Sequence, residues 1–314
     1  MMDLQDFFEH ERRAGAELVI ALIVATEGST YRKPGAFMLL SSSGRRAGLL
    51  SGGCLEGDLH EHASKMLADA RRCTTHRYDN RSSDDPIWGL GLGCEGSMTI
   101  FLLRCRSDED YEPLTSIFNR LANHERVDLL IDLRDGGFIT TDATTPASES
   151  IADHFRWRVA PPLRLLICGA GPDAEPLLDF AHRLGWKVTL LDHRPAYALM
   201  QRFVGAETVK QIELHDWTKD LDLERFSAAV VMSHHLGADA QYLAGLARAK
   251  IPYVGLLGPP ARRERLLADL GPLAKDLTTR LRAPVGLNLG GRTPEAIALS
   301  IVAEIQAAFS LNAV

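Results

Sequence analysis

Two stretches of this chain bring a thiol, carboxylates and several glycines together: Ser51-Gly52-Gly53-Cys54-Leu55-Glu56-Gly57-Asp58 and Gly89-Leu90-Gly91-Leu92-Gly93-Cys94-Glu95-Gly96. A deprotonated cysteine is a nucleophile and a soft metal ligand. Glycine lets backbone approach a ligand closely and take left-handed conformations. After Cys54 the spacing turns helical, with Leu55, Leu59, Ala63, Met66, Leu67 and Ala70 on one face of residues 55–71. Cys54 therefore belongs to a strand-to-helix turn, where the helix dipole favours thiolate and the N–H groups of Gly52, Gly53 and Cys54 are placed to cradle an anion. Glu56 and Asp58 fall in the first helical turn, where acids complement the dipole. The competing reading of Cys54 is a small buried apolar residue. Gly91, Gly93, Cys94 and Glu95 make the second candidate loop, whereas Cys73, Cys105 and Cys168 stand in strand-like contexts and read as core.

A third signal lies downstream. Leu165-Leu166-Ile167-Cys168 is an apolar strand followed at once by Gly169-Ala170-Gly171-Pro172-Asp173-Ala174. Gly169, Gly171 and Ala174 fit the G-x-G-x-x-G/A pattern of a dinucleotide-binding turn, and Asp192 ends the next strand, where such folds hold a ribose hydroxyl. Pro172 and Asp173 argue against a simple phosphate site, since an acid there repels anions. Ser233 and His234, with His235, follow another apolar strand, at the edge where open α/β sheets bind ligands. Asp239 is near enough in sequence to orient a histidine. A capping serine with two surface histidines is the alternative.

The elements that must position these residues alternate. Strands are expected at 18–25, 36–40, 47–50, 74–78, 98–105, 127–133 and 137–141, with a helix near 111–123 and a long loop over 79–97. Beyond residue 163, strands at 165–168, 187–191, 228–232 and 253–257 alternate with helices near 173–184, 238–249, 260–270 and 294–309. That rhythm implies a doubly wound parallel sheet. The fold class is α/β: a mixed-sheet domain over 1–142, a Thr-, Ser- and Pro-containing linker over 143–162, and a Rossmann-like domain over 163–314. A chain of 314 residues with 46% hydrophobic and 24% charged content supports such cores without staples. A net charge of −6 argues against a nucleic-acid partner. The acidic start and the lack of a long apolar run argue against a signal peptide or a membrane span. The five irregularly spaced cysteines suit a reducing compartment, so a cytoplasmic location is expected.

Several of these residues carry a resemblance. Glu27-Gly28-Ser29-Thr30-Tyr31-Arg32-Lys33-Pro34-Gly35, the Ser51–Gly57 stretch and Trp88–Gly96 resemble the N-terminal motifs of the XdhC/CoxI family. The Gly169 turn, Leu191-Asp192-His193-Arg194-Pro195, Ser233-His234, Tyr253–Gly258, Pro284–Gly290 and Thr293–Ala298 are similar to its Rossmann domain. Asn288 stands where many members have Asp, and His235 where Asp or Asn is common. The resemblance implies a maturation chaperone for molybdenum hydroxylases such as xanthine dehydrogenase and carbon monoxide dehydrogenase. Such a protein binds molybdenum cofactor (molybdopterin), supports its sulfuration by a cysteine desulfurase and delivers it to the apo-enzyme. It implies Cys54 as a cofactor residue and ligand to the cofactor's molybdenum, and a homodimer. Molybdopterin carries a phosphate suited to a glycine-rich helix start, and molybdenum accepts sulfur ligands. Two other readings remain open: an NAD(P)-dependent oxidoreductase using the Gly169–Ala174 turn, and a sulfur carrier with a persulfide on Cys54.

Overall fold

The computed structural model describes residues 4–53, 55–79, 96–141 and 149–310, the side chains of residues 151 and 310 excepted. The chain divides into two units, Met1–Pro161 and Pro162–Val314.

The first unit runs α1 (Leu4–Arg13), β1 (Leu18–Gly28), β2 (Phe37–Ser41), β3 (Arg46–Ala47), α2 (Glu56–Ala68), β4 (Cys73–Asp79), β5 (Gly96–Cys105), α3 (Leu114–Ala122), β6 (Val127–Asp132), β7 (Phe138–Thr140), β8 (Glu149–Ile151) and β9 (His154–Val159). Its sheets have the orders β3-β2-β1-β5-β4 and β7-β6-β9-β8. Every pairing in both is antiparallel, where a mixed sheet was expected. The apolar run of β1 is continuous because both of its faces are covered. Leu18, Ile20 and Leu22 pack with Phe7 and Phe8 of α1, with α3 and with Trp157 and Phe155 of the second sheet. Val19, Ala21 and Ile23 face Leu55, Leu59, Ala63 and Met66 around α2. The alternation of a strand thus feeds two cores from one segment. Strands β8 and β9 lie within the stretch read as linker from sequence, and their residues belong to the first unit.

The second unit runs β10 (Arg164–Cys168), α4 (Ala174–Arg183), β11 (Lys187–Asp192), β12 (Thr208–Gln211), β13 (Ala228–Val231), α5 (Leu236–Arg248), β14 (Tyr253–Leu256), α6 (Pro260–Leu270), β15 (Leu281–Arg282) and α7 (Pro294–Ser310). The six strands are parallel in the order β12-β11-β10-β13-β14-β15. This is the Rossmann order, with its reversal between β10 and β13. Leu165, Ile167, Val188 and Leu190 face α4 and α7, whereas Leu166, Cys168, Ala229 and Val231 face α5 and α6. No described helix is long and apolar enough to cross a membrane.

Candidate functional site

In the first unit the turn before α2 is built around one buried carboxylate. Glu56 is 1% exposed, and its Oε1 accepts from the N–H groups of Leu50 (3.0 Å) and Ser51 (2.8 Å). The Ser51 hydroxyl donates to Glu56 Oε2 at 2.6 Å and accepts from the N–H groups of Gly53 (3.3 Å) and Leu55 (3.0 Å). Burial pushes the Glu56 carboxyl up, but the Ser51 hydroxyl and the backbone donors outweigh it and hold the group below the usual carboxylate range. The N-cap residue of α2, Leu55, offers no side-chain cap, so the serine and the glutamate close the helix start together. Glu56, expected among the cofactor-binding residues, is therefore engaged with its own loop.

Gly52 and Gly53 are exposed, and Gly53 has φ +108°, which favours glycine. A Cβ added at either would meet nothing within 4 Å among the described residues. The turn thus presents bare backbone to open space directly before a helix N-terminus, which fits the approach of an anionic group. Cys54, which follows Gly53, lies outside the described residues, as do Gly91, Gly93, Cys94 and Glu95. Their neighbours are described. Asp58, in the first turn of α2, accepts from the Tyr78 hydroxyl at 2.6 Å near the end of β4. Tyr78 and Gly96 flank the segment that carries Cys94, and Gly96 opens β5 opposite Gly28. A side chain at Gly96 would collide with the carbonyl oxygens of Glu27 and Ser29. The bases of both Gly/Cys stretches are thereby tied to one end of the first sheet.

The sequence reading missed two histidines beside this junction. His62 lies 3.3 Å from Asp58, and its ring stacks 3.8 Å from that of His76 on β4. Burial, aided by His62, holds the His76 pKa below its ordinary value, which keeps its imidazole neutral at pH 7. The Asp58/His62 spacing on a helix and the alternation of His76 with Tyr78 were the available signals. Among the described residues no group of His, Cys, Asp or Glu is arranged to hold a metal ion. Cys105 and Cys168 are buried free thiols whose pKa burial raises, and Cys73, partly buried, is raised mainly by the same cause.

In the second unit, Gly169 has φ +117° and passes so close to β13 that a Cβ would lie 2.6 Å from Ser233 backbone. At Gly171 an added Cβ would meet only the His234 ring, at 3.8 Å. Ala174, the first residue of α4, is fully buried. Asp192 is 0% exposed, and its carboxylate accepts from the Ala170 N–H at 2.8 Å and from three groups of Arg194. Burial raises the Asp192 carboxyl, but Arg194 and these backbone donors bring it below its ordinary value. The residue expected to receive a ribose hydroxyl fastens the glycine turn to Arg194, which stacks 3.8 Å over Tyr197.

Ser233 is buried and donates to Asp239 Oδ1 at 2.5 Å, while Arg262 holds Asp239 Oδ2 at 2.5 Å. Asp239, expected to orient a histidine, thus braces Ser233 and Arg262. His235 Nδ1 caps α5 by accepting from Ala238 N–H at 3.1 Å. His234 is exposed and reaches over the glycine turn to Asp173 at 2.8 Å. The acids around the turn therefore each have a partner: the His234 ring for Asp173, Arg202 for Glu175 at 2.6 Å, and Arg194 for Asp192 at 2.8 Å.

Both units match known proteins. A family described as the XdhC and CoxI family matches residues 11–79, and one described as the XdhC Rossmann domain matches residues 165–305. A Bacillus subtilis (strain 168) protein, named as a probable subunit of xanthine dehydrogenase, is 35% identical, with 92% of each chain covered. The molybdenum cofactor insertion chaperone PaoD of Escherichia coli (strain K12) is 26% identical over 93% of this chain and 83% of its own length. A crystal structure described as a xanthine dehydrogenase from Bacillus halodurans superposes with a TM-score of 0.84 and 30% identity, covering 98% of this chain and 96% of that one. On its two family matches and its near full-length relative, the chain belongs to the XdhC and CoxI family.

Proposed function

We propose that this protein is a maturation chaperone that binds molybdenum cofactor as cargo and delivers it to an apo molybdenum hydroxylase of the xanthine dehydrogenase kind. The observation that carries the reading is the kinship over nine-tenths of the chain with a protein named as a molybdenum cofactor insertion chaperone. The open Gly52-Gly53 turn supports it: both glycines are exposed just before the start of α2, where the phosphate of the cargo can come close to their backbone. Glu56 and Ser51 keep that backbone in place, and Tyr78 and Asp58 join it to the base of the Cys94 stretch. Cys54 is proposed as the residue that meets the molybdenum, and Gly91, Gly93, Cys94 and Glu95 as the second part of the same site.

The finer parts belong to the same proposal: sulfuration of the cargo with a cysteine desulfurase as partner, a homodimer, and a cytoplasmic setting. The test is loading of the purified full chain with molybdenum cofactor, read as molybdenum by elemental analysis and as pterin absorbance. Cys54→Ala is expected to lose most of the bound cofactor while melting like wild type, and Cys94→Ala to lose less. Wild-type occupancy in folded Cys54→Ala would remove Cys54 from the site.

A further inference from the structure

The connection from β1 to β2, residues 29–36, is an exposed turn on a fixed base. Its return leg is bonded to β1: the Ile23 N–H donates to the Ala36 carbonyl and the Gly35 N–H to the Ile23 carbonyl, both at 2.9 Å. The Trp157 indole donates to the Gly35 carbonyl at 3.0 Å, and Gly35 takes φ +94° to make the bend. Nearer the tip, the Thr30 hydroxyl donates to the Arg32 carbonyl at 2.9 Å. Base and tip are both tied, so the side chains of the turn are presented from a defined backbone.

Those side chains bring charge without a counter-charge. Tyr31, Arg32 and Lys33 are exposed, Tyr31 at 57%. Lys33 Nζ lies 3.5 Å from the Thr30 hydroxyl, and the Arg32 guanidinium stands 5.7 Å from the Tyr31 ring centroid, within cation–π range. Among the described residues neither cation pairs with a carboxylate. Arg77, at the same end of the sheet, is the contrast: Glu27 and Asp79 hold it at 3.3 and 3.5 Å. In a chain with 41 acidic residues against 35 basic ones, two adjacent cations left unneutralised on a tied turn are available to an anion from outside.

The turn stands at the end of the sheet that carries the proposed cargo site. Strand β1 ends at Gly28, opposite Gly96, where the Cys94 stretch rejoins the sheet. Gly96 packs directly on the Ser29 carbonyl, with no room for a Cβ. The start of α2 is level with this end: Asp58 bonds Tyr78, Tyr78 pairs with Met98, and Met98 pairs with Thr26 of β1. From Tyr78 to Thr26 is two strand spacings, about 10 Å at roughly 4.8 Å each. Strand β2 leaves the turn and β3 runs back antiparallel to it, so the chain returns toward the turn before it reaches Gly52 and Gly53.

We propose that Arg32 and Lys33 are the cations that neutralise the phosphate of the cargo, while Gly52 and Gly53 give it room at the start of α2. A phosphate monoester carries roughly −1.5 to −2 charges at neutral pH and three acceptor oxygens, which suits a guanidinium fork and an ammonium together. The glycine turn allows close approach but has no charged side chain, and the Arg32-Lys33 turn has charge but no enclosure. Each supplies what the other lacks. The proposal rests on the cargo reading.

The experiment measures the affinity of the full chain, under anaerobic conditions, for molybdopterin and for molybdopterin stripped of its phosphate by a phosphatase, read as pterin fluorescence after ultrafiltration. Arg32→Gln/Lys33→Gln removes both charges from exposed positions and is expected to melt like wild type. It is expected to bind intact molybdopterin at least about tenfold more weakly and the stripped form as wild type does. The single variants are each expected to lose several-fold, and they serve as the measurement if the double variant melts lower. Arg265→Gln/Lys275→Gln, the same charge change at exposed positions of the second unit, is expected to bind both forms like wild type. Wild-type affinity of the Arg32/Lys33 variants for intact molybdopterin, or an equal loss for both forms, would overturn the proposal and leave the cargo reading in place. A wild-type chain that takes up neither form would remove the cargo reading and the proposal with it.

Discussion

Replacing Glu56 by Gln tests whether the first cysteine turn is held by one buried carboxylate. The variant keeps the shape, and its carbonyl can still accept from the Leu50 and Ser51 N–H groups. Its amide NH2 then points at the Ser51 oxygen. That hydroxyl has one hydrogen and two lone pairs, and both lone pairs already accept from Gly53 and Leu55. Donor faces donor, and flipping the amide only transfers the conflict to the backbone N–H groups. One hydrogen bond to a charged group disappears outright, and two become neutral. The expected cost is about 2–3 kcal/mol, since a bond to a charged partner is worth roughly 1.5–3 kcal/mol. For a domain of this size each kcal/mol moves the midpoint by about 2–4 °C, so a fall of roughly 5–10 °C is expected in the first-unit transition. Scanning calorimetry of the full chain reads it, with Glu61→Gln, exposed on the same helix, as the silent control. Cofactor loading should fall with it, because Gly52 and Gly53 lose their anchor. A Glu56→Gln protein that melts within about 1 °C of wild type, less than 0.5 kcal/mol on that scale, would refute the account of this turn.

At the second turn, Gly169→Ala should lower the melting point strongly and Gly171→Ala only slightly. The first places a Cβ 2.6 Å from Ser233 backbone at positive φ, the second meets a movable ring at 3.8 Å; equal melting points would contradict this packing. Acid should weaken the fold in a defined window. Glu11, Glu56 and Asp192 all have folded pKa values below ordinary ones despite burial, so their contribution is present above the unfolded values near 4 and fades as pH falls through the folded ones. Urea unfolding free energies should therefore be level between pH 7 and 5 and drop below about pH 4; a rise there would show that the sign is wrong.

Much of the architecture is legible because period and punctuation agree. The helical spacing after Cys54, the apolar strand before Gly169 and the strand–helix alternation beyond residue 163 each survive in the structure. Elements set by distant partners are not. Helix α1 is recognisable only once Phe7 and Phe8 have a sheet to cover and Glu11 has Ser41, Ser43 and Arg45 to bind. Strand β9 carries a clear alternation, with Phe155 and Trp157 buried between His154, Arg156 and Arg158, but the polar composition around it suggested a linker. The same limit applies at the sites. The types at Glu56, Asp192 and Asp239 suggested contact with ligand or histidine, whereas Ser51, Arg194 and Arg262 claim these carboxylates in space. A sequence shows which groups can ionise and leaves open which neighbour reaches them first.

The carboxylate contacts around the glycine turn have a consequence for release. An anion that recruited His234 or Arg202 would have to take it from Asp173 or Glu175, which are held beside those side chains by the fold itself. The two carboxylates act as permanently tethered rivals, present at the high effective concentration that covalent attachment gives. An anion bound there would be displaced without a second molecule having to arrive. Its residence is shortened more than its arrival is slowed, because the competition acts once the contacts loosen. A turn that reclaims its own side chains is poorly suited to permanent storage and well suited to a protein that must let go.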